Sequence, residues 1–191
     1  LSMSTWVGIG HTRISDSFQA GQEAASKALE SMGQPSADLV FVFASVRYDQ
    51  EALLKGITAL TKKSPLVGCS TAGEILSSGP SHRSLVVMTI RSDTLQVATG
   101  LGHRIGNNPR QAGQEVATSA VQSKLGNPHG FLIFPDGLSG NVAETIRGIQ
   151  DILGLSFPIV GGSAADDFAF HQTYQYHQGH LYSDALSGVL L

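Results

Sequence analysis

The stretch Pro65-Leu66-Val67-Gly68-Cys69-Ser70-Thr71-Ala72-Gly73-Glu74 has a counterpart 93 positions later, Pro158-Ile159-Val160-Gly161-Gly162-Ser163-Ala164-Ala165-Asp166-Asp167. In both, an apolar β-branched run empties into small residues and then an acid. That is the composition of a buried strand that ends where backbone amides become available to something outside it. Other anchors keep the same order and spacing. Gln19-Ala20-Gly21-Gln22-Glu23 recurs as Gln111-Ala112-Gly113-Gln114-Glu115, the run Leu39 to Phe43 pairs with Leu132 to Asp136, and Glu51 pairs with Glu144. The chain therefore reads as an internal duplication, with halves at about residues 5–101 and 109–191.

Each half carries the pattern helix-strand-helix-strand plus antiparallel strands, which predicts an α/β fold of two pseudo-symmetric halves around mixed sheet. Thr5 to Gly10 reads as a strand. Asp16 or Ser17 caps a helix that Gly33 and Pro35 end. Leu39 to Ala44 is apolar throughout, too short for a helix and too uniform for a sheet wet on one face, so it is expected at the centre of a sheet. Asp49 caps a helix from Gln50 to about Thr61 with Leu53, Leu54, Ile57 and Leu60 on its buried face. Ser84 to Arg91 and Thr94 to Leu101 read as a hairpin turning at Ser92-Asp93.

In the second half the pattern predicts a helix from Pro109 to about Lys124, a strand from Gly130 to Phe134, a helix from about Asn141 to Leu153, and the repeated strand at Pro158. A further hairpin turns at Gln178-Gly179, and Ser187 to Leu191 matches Ser84 to Met88. No counterpart of the Thr94 to Leu101 strand follows, which leads to the expectation of a fragment of a longer protein, with Leu1 and Ser2 as extra residues ahead of Met3.

Composition narrows the partners. With 41% hydrophobic and 14% charged residues, the 191-residue chain is an ordinary globular one. A formal charge of −3 with scattered Lys and Arg gives no footprint for nucleic acid. No apolar run reaches the roughly 20 residues needed to span a bilayer. The single Cys excludes an intrachain disulfide and fits the cytoplasm.

Candidate site residues cluster at the strand exits. Gly68, Gly161 and Gly162 free backbone amides to approach a carboxylate or phosphate, a reading that stands beside that of a plain tight turn. Glu74, Asp166 and Asp167 could receive an ammonium or hydroxyl, Arg47 could clamp a carboxylate, and Thr71 belongs to the same ligand-binding strand exit. Asp136 forms a neighbouring wall. Cys69, Ser70 and Ser163 sit where a hydrolase elbow would place a nucleophile, yet the spacing is one residue too long for G-x-S-x-G. Binding is therefore expected rather than catalysis. His171, His177 and His180 lie in one segment, where they could hold a metal or haem iron. Gly8-Ile9-Gly10-His11 lacks the third glycine of a dinucleotide fingerprint, and no Walker lysine is present.

Val7-Gly8-Ile9-Gly10-His11-Thr12, the strand Asp38 to Ser45, Pro65 to Glu74 and Gly161 to Asp167 together resemble the N-terminal part of the FIST domain, a sensory module of F-box and intracellular signal-transduction proteins. The resemblance implies a ligand-sensing domain for small molecules such as amino acids, coupled to a C-terminal half or an attached signalling module. It also implies an alternative, since some relatives bind haem and respond to nitric oxide.

Overall fold

The computed structural model describes residues 3–123 and 125–191, so Leu1, Ser2 and Lys124 lie outside the described residues. Thr5–Thr12 (β1) leads into Ser17–Met32 (α1). The Asp16 carboxylate accepts the Gln19 amide at 2.8 Å, and Gly33, left-handed at φ 69°, donates its amide to the Leu29 and Glu30 carbonyls. Both helix ends are thus closed by residues read as caps. Leu39–Ser45 (β2), Gln50–Thr61 (α2) and Leu66–Thr71 (β3) follow, with Asp49 capping α2. The short hairpin Glu74–Leu76 (β4) and Gly79–Ser81 (β5) precedes Leu85–Ser92 (β6).

A second series repeats the order: Ala98–His103 (β7), Pro109–Val121 (α3), Phe131–Pro135 (β8), Val142–Leu153 (α4) and Ile159–Gly161 (β9). The hairpin Gln175–His177 (β10) and His180–Tyr182 (β11) turns at Gln178-Gly179 as expected, and Ala185–Leu190 (β12) closes the series.

The strands form a six-stranded sheet, β1-β6-β2-β3-β10-β11, and a four-stranded sheet, β7-β12-β8-β9. In each, one parallel pair (β2 with β3, β8 with β9) sits among antiparallel strands, on both sides of the pair in the first sheet and beside β8 alone in the second, the mixed α/β architecture expected. Alternation along β2 explains its unbroken apolar run. Val40, Val42 and Ala44 pack beneath α1 and α2, whereas Leu39, Phe41 and Phe43 turn the other way and meet Phe134 and Val189 of the second sheet. Phe43 and Phe134 lie edge to face with ring centres 5.5 Å apart. Helices α3 and α4 cover the far side, so the layers run helix, sheet, sheet, helix.

Glycines set how closely helices approach. A Cβ on Gly21 of α1 would stand 2.3 Å from the Leu53 carbonyl of α2, and one on Gly113 of α3 would stand 2.1 Å from the Thr145 carbonyl of α4. Gly10 and Gly102 likewise let β1 and β7 pack against the helices that follow them.

Several expectations are corrected. The hairpin of Ser84 to Arg91 with Thr94 to Leu101 does not form. β6 inserts between β1 and β2, which occupies both its edges, and β7 crosses into the second sheet beside β12. There β7 takes the position that β1 has in the first sheet. Register aligns Val42 of β2 with Ile133 of β8, because each faces the glycine of its parallel partner, Gly68 or Gly161; the sequence pairing of Leu39 with Leu132 is two residues out. α3 ends at Val121. Leu60 lies on the rim of the α2 face rather than within it.

Candidate functional site

In the first sheet β6 runs antiparallel to β1 and β2, so its beginning lies at the same edge as their carboxyl ends. Arg13 follows β1, Arg47 follows β2, Ala72 follows β3, and His82 and Arg83 precede β6. These residues, with Asp167 and Phe168 from the exit of β9, line a pocket of about 410 Å³. Carboxyl ends of parallel strands are the usual ligand position in α/β sheets. Among the described residues, none of the three arginines belongs to an ion pair.

The two repeated strand exits meet at this pocket. Ala165 donates its amide to Ser70 O at 2.9 Å and Asp167 its amide to Thr71 O at 3.3 Å, while the Ser70 hydroxyl donates to Ala165 O at 2.7 Å. Ser45, at the end of β2, donates its hydroxyl to Asp167 Oδ2 at 2.5 Å. Behind this seam Glu74 is buried, with the Thr71 and Ser84 hydroxyls each donating to one of its oxygens. Burial raises the Glu74 carboxyl above its usual range; the two hydroxyls oppose that, and the Asp167 charge adds to it.

Tyr48 is buried and its hydroxyl has no hydrogen-bond partner among the described residues. Burial raises its pKa, and the charges of Glu74, Arg13 and Glu23 reach it. An unpartnered buried hydroxyl is uncommon and calls for an explanation, such as a polar group or water from outside the chain. Three non-glycine residues on the pocket wall hold left-handed backbone, Arg83 at φ 54°, Asp167 at 55° and Phe168 at 63°. Such conformations cost of order 1–3 kcal/mol each and cluster at functional sites.

The matching edge of the second sheet is closed. Asp184 stands where Arg83 stands in the first sheet; its Oδ1 accepts the Gly106 amide at 2.7 Å and the Ser139 hydroxyl at 3.2 Å. Asp136 spends its carboxylate on its own loop, accepting the amides of Leu138, Ser139 and Asp184. It is a loop organiser, not a pocket wall.

Other sequence candidates fall elsewhere. Gly68, Cys69 and Ser70 are buried within β3. A Cβ on Gly68 would stand 1.9 Å from the Val42 carbonyl, so this glycine serves strand contact rather than an anion. Burial pushes the Cys69 thiol up to about 12, the reverse of what activates a nucleophile. Gly161, Gly162 and Ser163 are exposed, but on the free edge of β9. Asp166 is turned inward, where its carboxylate accepts the amides of Phe170, His171 and Gln172. Thr71 and Asp167 sit at the seam and Arg47 on the pocket wall. Arg13, His82, Arg83 and Phe168 carry no motif and escaped sequence reasoning; the signal was their place at strand ends, visible only once the strand order is known.

His177 and His180 face each other across the hairpin, whereas His171 precedes β10 at its other end. His177 Nε2 lies 3.0 Å from Thr99 Oγ1, and burial, with His180 and His103 nearby, lowers its pKa to about 4. No group of three or more His, Cys, Asp or Glu suited to a metal occurs among the described residues.

The family model of the FIST N domain matches residues 38–191. The chain belongs to the FIST N family. FIST domains are sensory domains of signal transduction. This FIST N domain is 23% identical over 183 residues to the uncharacterized protein MJ1623 of Methanocaldococcus jannaschii, a match covering 91% of the present chain and 35% of that protein. It thus spans about a third of its relative's length. A crystal structure of cyanuric acid hydrolase from A. caulinodans superposes at TM-score 0.47 and 9% identity, covering 98% of this chain and 71% of that one, too distant to carry chemistry across. No helix of the FIST N domain is long and apolar enough to cross a membrane among the described residues.

Proposed function

We propose that this FIST N domain senses a small anionic or polar molecule, an amino acid being the simplest that fits, in the pocket between Arg13, Arg47, Arg83 and Asp167. The observation that carries the reading is that three arginines, none in an ion pair among the described residues, line one pocket together with a carboxylate held at the seam of two strand exits. The guanidinium forks suit a carboxylate, and Asp167 suits an ammonium or hydroxyl on the same ligand. Binding would act on the exit of β9 through Asp167, and in this reading the domain works in the cytoplasm, passing the change to a C-terminal half or an attached signalling module.

A thermal-shift screen against amino acids, small carboxylates, phosphate and hemin tests this. A compound at a hundredfold its dissociation constant adds about 2.7 kcal/mol of stability. A carboxylate or amino acid is expected to raise Tm, and Arg47→Ala with Arg83→Ala to abolish the rise while leaving the unliganded Tm within a few degrees. A response confined to hemin, or one indifferent to both arginine substitutions, would overturn the reading.

A further inference from the structure

β3 and β9 hold equivalent places, each the parallel partner of a central strand and each bearing a glycine opposite it, Gly68 against Val42 and Gly161 against Ile133. Their outer edges differ. β10 pairs antiparallel with β3, Tyr176 opposite Gly68, and completes the first sheet. β9 ends its sheet with nothing beyond it among the described residues.

Tyr176 is fully buried in the apolar cluster that also holds Val42, Ala44 and Leu54, and its hydroxyl donates to Gln50 Oε1 at the start of α2. The residues in the same positions of the second series are Ile133, Pro135, Ile146 and Val142. Together with Ile159 and Gly161 they line an open apolar groove of about 420 Å³. The niche is therefore present a second time, with no side chain of the described residues filling it. One difference is chemical: Val142 stands where Gln50 receives the tyrosine hydroxyl, so a phenolic ring in this groove would lose its acceptor.

The backbone is also set for a partner. Phe131 donates its amide to Pro158 O and Gly162 its amide to Ile133 O, so residues 158, 160 and 162 face β8. Alternation then turns the amides and carbonyls of Ile159 and Gly161 outward. Val160, 58% exposed in this edge strand, has no charge, proline or bulge to guard it.

We propose that the free edge of β9 is a strand-acceptor site, filled by the first strand of a β-hairpin like β10 and β11 from a further unit of this construction. That strand runs antiparallel to β9 and places a phenylalanine or leucine opposite Gly161. In the first sheet the hairpin comes from the connection that follows the parallel strand of the next series, and the relative MJ1623 has about two thirds of its length outside the match, room for another such unit. The proposal does not depend on the anion pocket.

A second copy of residues 172–184 carrying Tyr176→Phe, joined after Leu191 by a flexible linker of about fifteen Gly and Ser residues, supplies the probe. Three strand spacings across and about five residues along give a diagonal of about 20 Å, which such a linker reaches on average. Amide hydrogen exchange of Ile159 and Gly161 is expected to slow at least tenfold relative to the unfused chain, and Tyr176→Asp in the added copy to restore the original rates. Unchanged exchange in a folded fusion would overturn the proposal. So would protection of the same two amides in the unfused chain with dimerisation by sedimentation, since a second copy would then own the edge.

Discussion

At position 166 a carboxylate is turned into the protein and accepts three successive backbone amides, whereas at position 167 the next carboxylate faces the pocket and accepts the Ser45 hydroxyl. Burial raises the Asp166 pKa, but the amides of His171, Phe170, Gln172 and Ala169 outweigh it and hold the group below its usual range. Asp166→Ala is expected to cost about 2 kcal/mol in urea unfolding, because it strands amides that the loop cannot repair. The sequence offers both acids as ligand receivers, and no local signal distinguishes a carboxylate that ties a loop from one that meets a ligand. His177 offers a pH test. Its folded pKa of about 4 lies below the ordinary 6.5, so the unfolded chain binds the proton more tightly and stability falls as pH drops from about 6.5 toward 4. Discounted for partial exposure, the loss at pH 5 is on the order of 1 kcal/mol. His177→Asn should flatten denaturation midpoints between pH 7.5 and 5.

At the scale of elements, helix spacing is fixed by glycine. A Cβ on Gly56 would stand 2.2 Å from the Phe18 carbonyl, so Gly56→Ala must push α2 from α1, at about 1–3 kcal/mol. A lowered guanidinium midpoint with unchanged slope would register that loss. Single elements were legible where they carry their own ends: Asp49 and the apolar face of α2 define Gln50–Thr61, and the uniform run of β2 announces burial on both faces. Pairing was legible only where it is local, as at Gln178-Gly179. The turn at Ser92-Asp93 has hairpin chemistry, yet it carries the chain from one sheet to the other. Two strands competing for the edges of β6 decide this, and both lie far away in sequence. The pocket shares that fate, since Arg13 and Arg83 become neighbours only because β6 lies beside β1.

Across the whole molecule the two sheets share a buried layer of Leu39, Phe41, Val67, Phe134 and Val189, which opposes a hinge between the halves. Phe134 belongs to the second series, while Trp6 packs against the core of the first. Phe134→Ala is expected to remove about 3–5 kcal/mol. Trp6 fluorescence and far-ultraviolet circular dichroism should still lose their signals in one coincident transition; a Trp6 transition left at its original midpoint would show the sheets melting apart. The hairpin of β10 and β11 carries the coupling further. It departs from the second series, seals the first sheet and returns to build β12, so each half lends the other a piece of itself. Cutting the polypeptide at the apparent seam, between β7 and α3, leaves an N-terminal fragment with the Tyr176 niche unroofed and with β7 detached from its own sheet. The pattern visible in the letters has a spacing of 92 to 93 residues, but the unit it builds in three dimensions is the interlocked pair.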